Sequence, residues 1–340
     1  MFNPMDPQKD WTNKIRDIVG AISIIGVVVF LFVSPVIGRS LDMVEFSFFP
    51  ESDISKNIGI NLKQEGGDIL VYHEVAKPKL PELIGEKMID VDKFTAESMI
   101  VKDVETGMVL FGKDEYKFHA LASITKLMSA LVLLDYNLDF SATSTVVNDD
   151  IFESHIFSGE VFTLEELWNL SLVGSSNKAI LTLVDTVDTR EGFVEKMNKK
   201  AQELGMADTF FVEPTGLDSG NISTASDIIH LLDEALSKKE IKNVLLVPEL
   251  KVKSSGINAK SHQVWSTDWI LLNWIPNNFK EFIGGKTGYI PQSGYNFVMQ
   301  VKGENDKLLN VAVLGAEVHE DRFTEARDIA YWAFENYKWP

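Results

Sequence analysis

SITKLMSALVLLD, residues 123–135, decides how the rest of this chain folds. Apart from Lys126 near its start and Asp135 at its end the stretch carries no charge, and its apolar side chains fall on nearly every side of a helical repeat. A helix that is apolar almost all round has to be covered on all sides, so the stretch predicts a central helix with other elements packed about it. Before it, β-prone runs at 98–101 and 108–111 flank Glu105-Thr-Gly107, which predicts a hairpin. After it, Thr163-Leu-Glu-Glu166 is a capping box that opens a second helix through Leu172. YNFVMQV (295–301) and LLNVAVLG (308–315) flank the turn Gly303-Glu-Asn-Asp306, and a closing helix is predicted from about Arg322 to Tyr337. Strands at both ends with helices between them imply a mixed α/β (α+β) fold in which the first and last hairpins share one sheet.

Composition limits the chemistry. The chain has 340 residues, 45% of them apolar, with 32 basic and 50 acidic side chains and a net charge of −18. That is enough apolar mass for a core, and too much negative charge for a nucleic-acid partner without a basic patch, which is absent from the sequence. With no cysteine, disulfides, thiolate metal sites and a cysteine nucleophile are excluded. The six histidines form no HxxH or HExxH spacing, so no metal is expected, and each reads as a surface or packing residue.

Residues 18–38, IVGAISIIGVVVFLFVSPVIG, form a run of 21 without a charge. At roughly 1.5 Å per residue it is long enough to span a bilayer. It exceeds a signal-peptide core and no A-x-A-like site follows it, so it reads as an uncleaved signal anchor. Lys9, Lys14 and Arg16 precede it, whereas Arg39 is followed by Asp42, Glu45, Glu51 and Asp53, which puts the N-terminus in the cytoplasm. The expected organisation is a cytoplasmic tail (1–17), a single transmembrane segment (18–38) in the cell membrane, an extracytoplasmic linker (39–92) with a small folded piece around 59–74, and a domain (93–340) on the periplasmic or cell-wall side. Pro78 and Pro81 mark the linker as extended.

Chemistry collects in three short motifs. Ser123-Ile-Thr-Lys126 sets a hydroxyl and an amine three residues apart at the start of the central helix, on one face and at the positive end of its dipole. A lysine activates a serine only if its pKa is lowered, by burial or a second cation. Taken alone, the motif also reads as an N-cap serine and a snorkelling lysine. Ser175-Ser-Asn177 follows a helix end and alone reads as a loop and cap. Lys286-Thr-Gly288 lies in IGGKTGYI, where glycine in a β-prone run marks close approach of a backbone or ligand. A P-loop is excluded, because its glycine would have to be Lys280.

SxxK, SxN about 50 residues on, and KTG about 110 residues after that form the motif set of active-site-serine penicillin-recognising enzymes. The chain resembles that family, and within it the low-molecular-weight D-alanyl-D-alanine carboxypeptidases, over residues 95–338. SGEVFTLEELWNLSLVGSSNKA, FFVEPTGLDSGNISTASDIIHLL and GGKTGYIPQSGYNFVMQV are similar to its further segments. The resemblance implies a β-lactamase/transpeptidase-like fold, an antiparallel sheet flanked by helices plus a helical subdomain.

It further implies a membrane-anchored serine carboxypeptidase that removes the terminal D-alanine of peptidoglycan stem peptides, with β-lactams as covalent inhibitors and no cofactor. In that reading Ser123 is the nucleophile and Lys126 its base, while Ser175 relays a proton and Asn177 holds Lys126 and the substrate amide. Lys286 keeps Lys126 neutral by repulsion, Thr287 binds the terminal carboxylate beside Gly288, Tyr289 N–H and Ser123 N–H form the oxyanion hole, and Arg322 supports carboxylate recognition. Lys178 departs from the family pattern and is expected to add charge beside the cleft. A DD-endopeptidase acting on crosslinks uses the same residues. A β-lactamase would need a carboxylate such as Glu213, which instead lies in the peptidase-like EPTGLD loop. An inactive wall-binding homologue would have lost the nucleophile or base, and both are present.

Overall fold

The computed structural model describes residues 60–64, 70–74, 78–85, 89–147, 151, 153, 155–256 and 259–340. The chain divides into two compact units, Met1–Lys77 and Pro78–Pro340. The described part of the first is an antiparallel hairpin of β1 (Ile60–Gln64) and β2 (Leu70–Glu74), where the small folded piece was expected. The membrane segment expected at 18–38 lies outside the described residues, and among those described no helix is long and apolar enough to cross a membrane.

The second unit starts at Pro78, so residues 78–92 belong to it and not to a free linker. Here β3 (Glu82–Leu83) pairs with β15 (Tyr337–Lys338), and Ile84 N–H donates to Asn336 O at 2.8 Å. A two-residue pairing between opposite ends of the unit leaves no periodic trace in sequence, which is why it reads there as extended chain.

Between these strands run β4 (Ser98–Asp103), β5 (Val109–Lys113), β6 (His119–Ala120), α1 (Thr125–Leu134), β7 (Thr143–Thr145), β8 (Val161–Thr163), α2 (Leu164–Val173) and α3 (Asn177–Val187). Then come α4 (Arg190–Glu203), β9 (Ile222–Ser223), α5 (Ala225–Ser237), α6 (Lys239–Leu245), β10 (Glu249–Lys253), β11 (Ser261–Trp265), β12 (Glu281–Ile290), β13 (Gly294–Lys302), β14 (Leu308–Ala316) and α7 (Asp321–Asn336). The main sheet is antiparallel in the order β12-β13-β14-β4-β5, so the first and last hairpins meet at β14 and β4, with Leu309 opposite Asp103 and Leu314 opposite Ser98.

Alternation along the strands sorts the core onto two faces. Ile100, Val298 and Ala312 join the cluster formed by α1 to α6, whereas Met99, Val101, Phe297, Met299, Val311 and Val313 pack on Phe323, Ala326, Ile329 and Ala330 of α7. Helix α1 is buried from Thr125 to Leu133, as its all-round apolar surface requires. The capping box is formed: Glu166 N–H donates to Thr163 Oγ1 at 3.1 Å and Thr163 N–H to Glu166 Oε2 at 2.8 Å. Strand β12, which carries the lysine-threonine-glycine motif, is at the sheet edge beside the start of α1.

Candidate active site

Ser123 sits in a short 3-10 turn, Ala122–Ile124, that runs into α1. Ala122, just before it, has φ +49°, a left-handed backbone that aims the serine out of the helix line. Two glycines let other chain segments close on this turn. A β-carbon on Gly288 of β12 would stand 2.6 Å from Leu121 O and 3.2 Å from Ser123 N. One on Gly216 would overlap Ala122 O. The motif glycine is therefore required by close backbone approach.

Lys126, the second residue of α1, is fully buried, and its Nζ lies 3.0 Å from Ser123 Oγ. It also donates to Asn177 Oδ1 and to Thr215 O, both at 2.7 Å. Burial lowers its pKa to about 8, opposed by the carboxylates of Glu213 and Glu153. Desolvation is the leading cause of that shift, and Lys126 and Lys286, both buried, act against each other's charge: the pKa of Lys286 is pushed well down by burial first and then by Lys126 and Arg322.

Ser175 has φ +59° in the connection from α2 to α3, and its Oγ accepts from Lys286 Nζ at 2.9 Å. Ser176 caps α3, and Asn177 is that helix's first residue, so the middle motif is at once a cap and a site element. The cap has a partner that sequence reasoning missed. Glu153 accepts from Asn177 N and Lys178 N, both at 2.9 Å, and from Ser176 Oγ, placing a carboxylate on the positive end of α3. Lys178 itself is buried and donates to Ser158 Oγ at 3.1 Å, and it is not among the residues that line the cavity holding Ser123.

Glu213 is committed to its own loop: it accepts from Thr215 N and Gly216 N, and from Asn221 Nδ2 at 2.8 Å. Ser129 of α1 ties the same loop through Pro214 O at 2.6 Å. The loop thereby holds Thr215 O against Lys126.

On the far side of the cleft, Thr287 Oγ1 is 2.6 Å from Thr267 Oγ1. Arg322, in the first turn of α7, is buried: its guanidinium donates to Gly288 O at 3.2 Å and to His319 Nε2 at 2.8 Å, and lies 5.4 Å over the Tyr295 ring. His319 therefore takes part in the cleft, in contrast to its sequence reading as a packing residue. Its ring sits 4.4 Å from that of Trp269, and burial together with Arg322 lowers its pKa, which keeps it neutral and able to accept. Tyr289, half exposed, stacks on Tyr295 at 4.3 Å.

All three motifs reach one cavity of about 470 Å³, where Ser123, Ser175 and Thr287 meet Trp269, Tyr295 and His319. Other cavities, of about 340 Å³ beside α4 and about 500 Å³ between α7 and residues 89–95, contain no motif side chain. The arrangement supplies a hydroxyl with a buried amine at hydrogen-bond distance, an open sheet edge, and cations placed for an anionic group. That set suits acyl transfer to serine.

Comparison with known proteins points the same way. A family model described as D-alanyl-D-alanine carboxypeptidase, peptidase S11, matches residues 86–318. A D-alanyl-D-alanine endopeptidase of Pseudomonas aeruginosa is 31% identical over 242 residues, 69% of this chain and 76% of that protein. The D-alanyl-D-alanine carboxypeptidase DacF of Bacillus subtilis is 27% identical over 253 residues, 72% of this chain and 63% of that protein. Among solved structures, Penicillin-Binding Protein D2 of Listeria monocytogenes in its cefotaxime-bound form superposes with a TM-score of 0.61 at 25% identity, covering 71% of this chain and 98% of that one.

Proposed function

The chain belongs to the peptidase S11 family of serine D-alanyl-D-alanine peptidases, and from that premise we propose that its own cleft hydrolyses the bond between D-alanine and a following D-residue in peptidoglycan stem peptides. The observation that carries the reading is the 3.0 Å contact between Ser123 Oγ and a fully buried Lys126 amine. Neutral Lys126 takes the proton as Ser123 Oγ attacks the D-alanyl carbonyl, and the backbone N–H groups of Ser123 and Tyr289 receive the oxyanion. Collapse expels the amine of the last residue, which takes a proton from the Lys126–Ser175 side, and leaves an acyl-enzyme on Ser123. Water activated by Lys126 then hydrolyses the ester. Thr287, beside Gly288, binds the carboxylate of the departing residue, with Lys286 and Arg322 supplying positive potential and Asn177 the amide contact. No step calls for a cofactor.

Removal of the terminal D-alanine is the primary activity in this reading. A crosslink endopeptidase reaction has a specific observation in its favour. The cavity extends beyond Thr287 to Trp269, Tyr295 and His319, and its volume of about 470 Å³ exceeds what one alanine fills. In a crosslink the residue after D-alanine carries a carboxylate and a long side chain, which that aromatic end would take.

The domain works outside the cytoplasm, and residues 18–38 anchor it to the cell membrane, with 39–77 as the tether. The test is covalent labelling of the full chain by a fluorescent penicillin, expected to vanish in Ser123→Ala. Undiminished labelling of that variant removes the nucleophile assignment. Release of D-alanine from a pentapeptide, measured against scission of a crosslinked muropeptide, separates the two peptidase activities.

A further inference from the structure

Among the described residues, the buried side-chain polar atoms without a hydrogen-bond partner are Asp268 Oδ2 and Arg322 Nε. One is an acceptor and the other a donor, and both lie behind the carboxylate-reading wall of the cleft. Asp268 is 2% exposed. Its Oδ1 accepts from Ile270 N at 2.9 Å and Leu271 N at 3.1 Å, which shapes the turn after β11. Its Oδ2 faces β12, because a β-carbon on Gly285 would stand 2.8 Å from it, one residue before Lys286. The charged groups acting on this carboxyl are Arg322 from α7 and Lys286 from β12; the other titratable groups around them are His319, hydrogen-bonded to Arg322, Tyr295, whose ring lies under that guanidinium, and Lys126, which acts on Lys286.

A dry carboxylate with one empty oxygen costs stability, and turn-shaping alone does not explain it, since Oδ1 does that work. Lys286 is nearly as dry, 1% exposed, and burial, Lys126 and Arg322 all act against its charge. Asp268 is the group that acts for it. We propose that Asp268 is a positioning residue that serves as the internal counter-ion of Lys286 and Arg322, keeping Lys286 an ammonium that donates to Ser175 Oγ and stands ready for the substrate carboxylate. The inference rests on the reading of the cleft as one that takes a carboxylate-bearing peptide. It assigns a pH response to substrate recognition, separate from the one that Lys126 imposes on the chemical step. Burial raises the Asp268 pKa to about 6, so the counter-ion is present above that pH and withdrawn below it.

The test uses the full chain, wild type and Asp268→Asn, with a diacetyl-lysyl-D-alanyl-D-alanine peptide and the same peptide ending in a carboxamide, from about pH 5 to about pH 9. Taking the ratio of KM values for the two peptides cancels the titration of Lys126. The wild type is expected to prefer the carboxylate through KM, and to lose that preference as pH falls through about 6. The asparagine variant is expected to raise KM for the carboxylate peptide about tenfold at neutral pH, with kcat and the carboxamide KM within about twofold, and with no pH step. An unchanged KM ratio in the variant overturns the proposal, and so does a wild-type ratio that stays flat across pH 6. The second result decides the matter even if the variant does not fold. If the wild type cleaves neither peptide, the proposed function fails instead.

Discussion

Gly216 lies against the carbonyl of Ala122, so close that a β-carbon on it would stand 1.9 Å from that oxygen and 2.9 Å from Ser123 N. The contact joins the loop that supplies Thr215 O to Lys126 with the turn that carries the nucleophile. Gly216 also has φ +89°, a backbone that side chains disfavour. Gly216→Ala is expected to cost about 2–4 kcal/mol and to slow penicillin acylation at least about tenfold. Thermal melting and stopped-flow labelling measure the two effects, and a variant with wild-type acylation would show that the close approach is dispensable.

Burial sets the pH response of the chemical step. In the proposed reaction Lys126 must be neutral to accept the Ser123 proton, and its pKa lies at about 8, so the acylation rate is expected to rise with pH through that value and level off above it. Lys126→Arg keeps the charge but cannot lose its proton, and is expected to lower acylation by about a thousandfold or more. A flat profile from about pH 6 to about pH 9 would place the base elsewhere.

Glu153 stabilises the start of α3 through Ser176, Asn177 and Lys178. Glu153→Ala is expected to lose about 1–2 kcal/mol of stability and to slow acylation, because Asn177 holds Lys126. Equal loss of stability in Thr163→Ala, which breaks only the α2 cap, is expected to leave acylation unchanged. The pair of variants separates general destabilisation from misplacement of Asn177.

Asp268 gives a stability signature opposite to the usual carboxylate. Its folded pKa of about 6 is above the unfolded value, so folding favours the protonated form, and the chain loses stability as pH rises toward 6 and stays lower above it. Asp268→Asn is therefore expected to raise stability at neutral pH, on the order of 1–3 kcal/mol, and to remove that pH dependence. Denaturant melts at pH 5 and pH 7.5 check the sign. A destabilised variant at pH 7.5 would mean that the carboxylate is held by favourable pairing and not against its desolvation.

Much of this architecture is legible in the chain because it is local. The all-round apolar surface of residues 125–133, the capping box at Thr163 and Glu166, and the β-prone runs of β13 and β14 each report their environment within a short stretch of backbone. The three motifs are legible for a different reason: each alone also has an ordinary structural reading, and it is their order and spacing along the chain that single them out. Thr267 and Glu153 left no such trace, since each acts on a partner in another element, Thr267 on Thr287 in β12 and Glu153 on the start of α3, while His319, three residues before Arg322, is drawn into the cleft by its ring contacts with Trp269 and Tyr295. The pairing of β3 with β15 in a two-stranded sheet of their own was hidden in the same way.

By itself, then, the sequence determined the kind of helix α1 must be and the hairpins, and through the order of its three motifs it singled out Ser123 and Lys126 as the pair to examine. Tertiary structure alone decided the charge states. The lowered pKa of Lys126, the burial of Lys178 and the unsatisfied oxygen of Asp268 all depend on which groups folding removes from water. Desolvation and Coulomb forces act over a few ångströms in space, between residues as distant along the chain as Ser175 and Lys286.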